Sequence, residues 1–199
     1  MKKRVAREAA VLIYSLQEKE YKQAKKRAAQ TLRVRILPSN IEVAEEIDMF
    51  ADETEGSSRQ KHLLQMRKDA LWIMNVVNDF HPKLVGSVWR GTAHRNSDID
   101  ISVFSESPKT VLTALQKNNI RMEKTEWCSV TKRGKALTSF HIHFTLPSKN
   151  EAEIVVRSLE NRDQLARCEI YGDLITGLTY SQLQKILKNN PLIRFTPKH

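Results

Sequence analysis

The chain has 199 residues, 40% of them hydrophobic, so it folds; this length holds one catalytic domain with appended elements or two small domains. Thirty-three Lys and Arg against 23 Asp and Glu give a net charge of +10, which suits a polyanionic partner such as RNA. Two distant cysteines, Cys128 and Cys168, form no CxxC pair, and no apolar run reaches membrane-spanning length. The expectation is therefore a soluble, cytoplasmic protein with reduced thiols and no membrane contact.

Residues 4–32 read as one helix, with Ala9, Leu12, Ile13 and Leu16 on a stripe that Tyr21, Ala24 and Ala28 continue. Residues 1–35 carry eleven basic and three acidic residues, so +8 of the net +10 lies there. That face either contacts RNA or is simply solvated. After Leu37-Pro38, Ser39 or Asn40 caps a second helix bearing Val43, Ala44 and Ile47. Gly56-Ser57-Ser58 breaks the chain again. A third helix follows, with Leu63, Met66, Ala70, Met74 and Val77 along one side. Residues 1–78 thus form a helical N-terminal region.

Beyond His81-Pro82 the period changes to two. Leu84-Val85-Gly86 reads as a short strand, and Ile99, Ile101 and Val103 alternate with Asp98, Asp100 and Ser102. Pro108 opens a helix over 108–118. Strands are expected at 121–130 and 138–146, around a turn at 132–135, and a last one at 152–156. Residues 160–199 form a small C-terminal extension, where Thr179 and Gln182 match a capping box.

Three features carry chemistry. Glycine at 86 lets a ligand approach the backbone closely, and Ser87 can cap the helix that follows and donate to a phosphate. Asp98 and Asp100 leave the same face of their strand, and two such close carboxylates call for a cation between them. Glu153 sits among Ala152, Ile154, Val155 and Val156, where an acid costs stability unless it is paired or metal-bound. Glu151 shares its parity and is the rival third carboxylate. Arg90 pairs either with a phosphate or with a nearby carboxylate; Ser97 lines the same loop. His141 and His143 share a strand face, either as contacts near the metals or as ordinary strand residues. Trp89 and Trp127 are expected in the core.

The stretch from Val85-Gly86-Ser87 to Asp98-Ile99-Asp100 resembles the nucleotidyltransferase superfamily typified by DNA polymerase β. It looks most like the minimal nucleotidyltransferases and the catalytic domain of archaeal CCA-adding enzymes. The resemblance covers roughly residues 80–158, with residues 79–159 as the catalytic domain. It implies an α+β fold with a mixed β-sheet flanked by helices, and a nucleoside triphosphate held by Gly86, Ser87, Arg90 and Ser97. It further implies magnesium, or manganese, on Asp98, Asp100 and Glu153 as catalytic carboxylates. The acceptor would be an RNA or a protein hydroxyl. A non-catalytic RNA-binding protein that keeps the fold is the competing expectation.

Overall fold

The computed structural model describes residues 1–132 and 135–197. Four helices come first: α1 (Lys2–Tyr14), α2 (Tyr21–Thr31), α3 (Asn40–Glu55) and α4 (Ser57–Val76). The single helix expected over 4–32 is broken into two. Leu16 turns left-handed (φ 58°), and the amides of Gln17 and Glu18 both return to the Leu12 carbonyl. The turn lets one apolar stripe fold onto itself. Ala9 and Ala10 of α1 and Ala24 and Ala28 of α2 are fully buried in one small core with Val5, Leu12 and Val43. A straight helix would have left half of that stripe in water.

The capping expectation for α3 holds in full. The Ser39 side chain accepts from the Glu42 amide, and the Glu42 carboxylate accepts from the Ser39 amide at 2.7 Å. Gly56 separates α3 from α4 in a conformation (φ 55°, ψ −136°) that suits a residue without a side chain.

A six-stranded mixed sheet follows, in the order β3-β4-β5-β2-β1-β6. Its strands are β1 (Lys83–Val85), β2 (Ile99–Phe104), β3 (Lys124–Lys132), β4 (Lys135–Thr145), β5 (Glu151–Arg157) and β6 (Leu178–Thr179). A short α5 (Gly86–Arg90) joins β1 to β2, α6 (Pro108–Lys117) follows β2, and α7 (Tyr180–Asn189) closes the chain. The expected α+β class with a mixed sheet is what forms. Arg133 and Gly134, in the turn expected between β3 and β4, lie outside the described residues.

β2 and β5 run parallel and the other neighbours antiparallel. One face of the sheet buries Ile99, Ile101, Val103, Ile142, Phe144, Ala152, Ile154 and Val156 under α4, whose Leu63, Met66, Ala70, Ile73 and Met74 complete the main core. The C-terminal segment enters the same core: β6 pairs with β1, and α7 adds Leu183. Among the described residues no helix is long and apolar enough to cross a membrane.

Candidate functional site

Alternation sorts β2, β4 and β5 into an apolar face and a polar face. On the polar face the register sets Asp100 beside Glu153, and Glu153 beside His143. Asp98 lies just before β2. Its carboxylate, with those of Asp100 and Glu153, offers three oxygens within 4.8 Å of one another. Glu153, and not Glu151, joins this group. Glu151 is exposed and borders a small cleft of about 50 Å³ with Asp98, Glu123 and His143.

The electrostatics follow from packing. Burial raises the Asp100 carboxyl well above the ordinary carboxylate range, and the charges of Asp98 and Glu153 push it further. Asp98 stands at the open mouth, yet the protein around it also raises its carboxyl. Glu153 and Glu151 add to that rise, while His143 opposes it. Asp98 and Asp100 so arranged resist full ionisation, and a divalent cation relieves the repulsion. Their hard oxygen donors fit magnesium or manganese.

Gly86 closes the other side. It adopts φ 71°, and a Cβ placed there would overlap the Asp100 carboxylate. The bare backbone therefore lies directly against the carboxylate. α5 starts at Gly86 with Val85 as its N-cap and no side-chain cap, so Ser87 lies inside the first turn instead of capping it as expected. The strand runs extended to Val85, which leaves the cap position to that residue. The first amides of α5 have no partner within the helix.

The other expected phosphate ligands are engaged elsewhere. Arg90 is buried and takes up the carboxylate alternative: it grips Asp173 at 2.7 and 3.1 Å and donates to the Phe195 carbonyl. Its guanidinium stacks between the rings of Trp89 and Tyr171. The Ser97 hydroxyl accepts from the His94 amide and shapes the loop.

Sequence reasoning missed what holds that loop. Arg59 of α4 is buried and binds the carbonyls of Thr92, Ala93 and Asp48, together with the carboxylates of Asp48 and Asp52. Arg67, also of α4, is fully buried. It donates to the carbonyls of Val88, Trp89, Pro191 and Ile193 and has its pKa pushed down to about 10 by burial. From the N-terminal helices, Glu55 accepts from the Arg95 amide and the Tyr14 carbonyl from Asn96. A larger cleft of about 530 Å³, lined by Asp52, Gly56, Arg59, Gly91 and Arg194 among others, does not include the carboxylates.

Trp127, expected in the core, is 64% exposed, whereas Trp89 is buried as expected. Trp127 has the parity of the apolar face, but it lies on edge strand β3, where its ring packs edge to face on Phe140 with centroids 5.0 Å apart. The N-terminal charge is also partly matched. Lys2 pairs with Glu42, Lys3 and Arg7 with Glu46, and Arg7 with Glu53. Lys22, Lys26, Arg33 and Arg35 remain on the exposed surface.

Residues 83–163 match the family described as the nucleotidyltransferase domain. That segment, which holds the carboxylates and Gly86, is the part of the chain similar to the family. Two solved structures show a loose likeness. One, of a cytoplasmic RNA terminal U-transferase, is 16% identical with a TM-score of 0.30, over 59% of this chain and 34% of that one. The other, the Cid1 poly(U) polymerase with MgGTP bound, is 18% identical with a TM-score of 0.28, over 56% of this chain and 38% of that one. The chain thus spans little more than a third of the length of either. No curated protein matches it.

Proposed function

We propose that this chain moves a nucleoside monophosphate from a nucleoside triphosphate to an acceptor hydroxyl on RNA or protein, with magnesium or manganese as cofactor. The observation that carries this reading is the convergence of Asp98, Asp100 and Glu153 from the head of β2 and from β5 within 4.8 Å, against the bare backbone of Gly86. When bound there, divalent cations would neutralise triphosphate charge and lower the pKa of the attacking hydroxyl.

The chain's own residues do the positioning. Asp98, Asp100 and Glu153 would hold the cations, with the Asp100 carboxylate against the start of α5. Gly86 and Ser87 present backbone amides and a hydroxyl to the phosphates at the start of α5. Ser97 and Arg90 act at one remove: Ser97 shapes the 91–98 loop, and Arg90 ties α5 to the C-terminal segment. Exposed Lys22, Lys26, Arg33 and Arg35 offer a phosphate-backbone contact if the acceptor is RNA.

The test is incubation with each labelled triphosphate, magnesium and either total RNA or a protein lysate, using wild type and Asp100→Asn. Wild type should label one acceptor class. The variant should lose several kcal/mol of transition-state stabilisation, roughly a thousandfold in rate. Equal labelling by both proteins would overturn the reading.

A further inference from the structure

The polar face of the sheet carries a second group of donors beside the carboxylates, and it has different chemistry. His141 and His143 stand two residues apart on β4 and project to the same side. Their rings stack at 6.4 Å. With Glu153 they offer three ligand atoms within 4.8 Å of one another.

We propose that His141, His143 and Glu153 form a second cation site that takes a borderline divalent ion, zinc above all. The inference goes beyond the transfer reaction, because these donors would bind zinc whether or not the chain transfers nucleotides.

Three details support it. The first is donor type: two imidazoles and a carboxylate form a set that zinc favours and magnesium does not. The second is His143. Its Nε2 is buried and makes no hydrogen bond, yet it lies 3.5 Å from the Glu153 carboxylate and 3.5 Å from that of Glu126. Ligands on a tetrahedral zinc with bonds of ~2.1 Å stand ~3.4 Å apart, so this nitrogen is already at ligand spacing from Glu153. The third is His141. Its Nε2 lies 2.8 Å from the Ser139 hydroxyl, and its Nδ1 lies 2.6 Å from Glu153. In the metal-free fold Nδ1–H donates to the Glu153 carboxylate and Nε2 accepts from the Ser139 hydroxyl; with an ion on Nδ1 the proton sits on Nε2 and the hydroxyl accepts it instead. An outer partner able to receive that N–H is the usual companion of a metal-bound histidine. Entry of the ion widens the 2.6 Å contact to ligand spacing and takes the place of any proton shared across it.

The sites share Glu153 and nothing else, so they can be separated by mutation. The full-length chain is titrated with zinc by calorimetry, and with cobalt(II), whose tetrahedral nitrogen and oxygen complexes absorb visible light far more strongly than octahedral oxygen complexes. Wild type should bind one zinc and give the intense cobalt band. His141→Gln/His143→Gln should lower zinc affinity by at least about 10–100-fold, the loss found when even an outer partner is removed, and abolish the band. Asp98→Asn/Asp100→Asn should keep both. His143→Gln alone guards against misfolding in the double variant, since its Nε2 gives up no hydrogen bond, and should show the same direction of change. Unchanged zinc affinity in the histidine variants would overturn the proposal, as would loss of zinc in the aspartate variant matching that in the histidine variant. Thermal stabilisation of wild type by magnesium and ATP reads the transfer site separately, so failure of one reading leaves the other standing.

Discussion

The two sides of the carboxylate cluster are built in opposite ways. On one side, the segment from Gly86 to Asp98 is held from beneath by Arg59 and Arg67, which have almost no contact with solvent. Between them they bind the carbonyls of Val88, Trp89, Thr92 and Ala93. On the other side, β3 forms the sheet edge with β4 next to it, and there Trp127, Leu137 and half-buried His141 and His143 meet water. Asp100 belongs to the braced side and Glu153 adjoins the open one, so the cluster joins a fixed half to an accessible half. A site that must hold phosphates at a set distance and still admit an acceptor would be divided in this way.

The sharpest way to break the comparison is to remove the brace. Arg67→Met leaves four carbonyls without their donor, two of them at the C-terminal end of α5, where a cation is favoured. The expected loss is about 3–5 kcal/mol, or a fall in Tm of roughly 10 °C or more, measured by thermal denaturation. A fall under ~2 °C would show that the arginine fills space rather than holding the loop.

Metal addition comes next in size. Because burial and like charge raise the Asp100 carboxyl, the metal-free fold carries a strain that magnesium relieves. At a concentration ~100 times the dissociation constant, magnesium should stabilise wild type by about 2.7 kcal/mol, read as a rise in Tm. Asp100→Asn should match or exceed the stability of metal-free wild type and gain little from magnesium. If Asp100→Asn instead melts well below metal-free wild type, the carboxylate is a structural group and the strain argument fails.

Gly86→Ala sharpens the join between the two halves. Alanine at φ 71° costs about 1–2 kcal/mol, and its Cβ forces the Asp100 carboxylate to move. Both the Tm and the magnesium midpoint should worsen. A weaker midpoint at unchanged Tm would place the whole effect at the carboxylate. Unchanged values of both would mean that the close approach of backbone and carboxylate has no energetic role.

The carboxylates at the join were more legible in the sequence than the brace beneath them. Alternation over 98–103 put Asp98 and Asp100 on one face, and an acid flanked by Ala152 and Ile154 stood out, because a period of two exposes any polar residue set in an apolar strand. The capping box at Thr179 was also readable, since it depends on residues three apart, and the cap of α3 was narrowed to Ser39 or Asn40. Arg59 and Arg67 were not. A basic residue on a helix carries no local sign that it will point inward, and its partners are carbonyls up to 126 residues away. The break at Leu16 was hidden for a related reason: the apolar stripe is continuous through it, and only packing of Ala9 and Ala10 in one core with Ala24 and Ala28 makes two helices better than one. Trp127 misled because strand parity gives the face but not the position across the sheet.

That tryptophan supplies the smallest expected effect. In a sheet interior, Trp→Ala typically costs several kcal/mol, about 3–5, through the cavity it leaves. Trp127 is 64% exposed, and its ring touches Phe140 edge to face, so it has little cavity to leave and one aromatic contact to lose. Trp127→Ala should therefore cost no more than about 0.5–1.5 kcal/mol, and the magnesium midpoint should not move, since the side chain lies on the opposite face from Glu153. A large loss of stability would mean that the edge strand is buried in solution by something that covers it. A shifted midpoint would mean that β3 transmits strain through β4 to Glu153, and the open half would then be braced as firmly as the loop it faces.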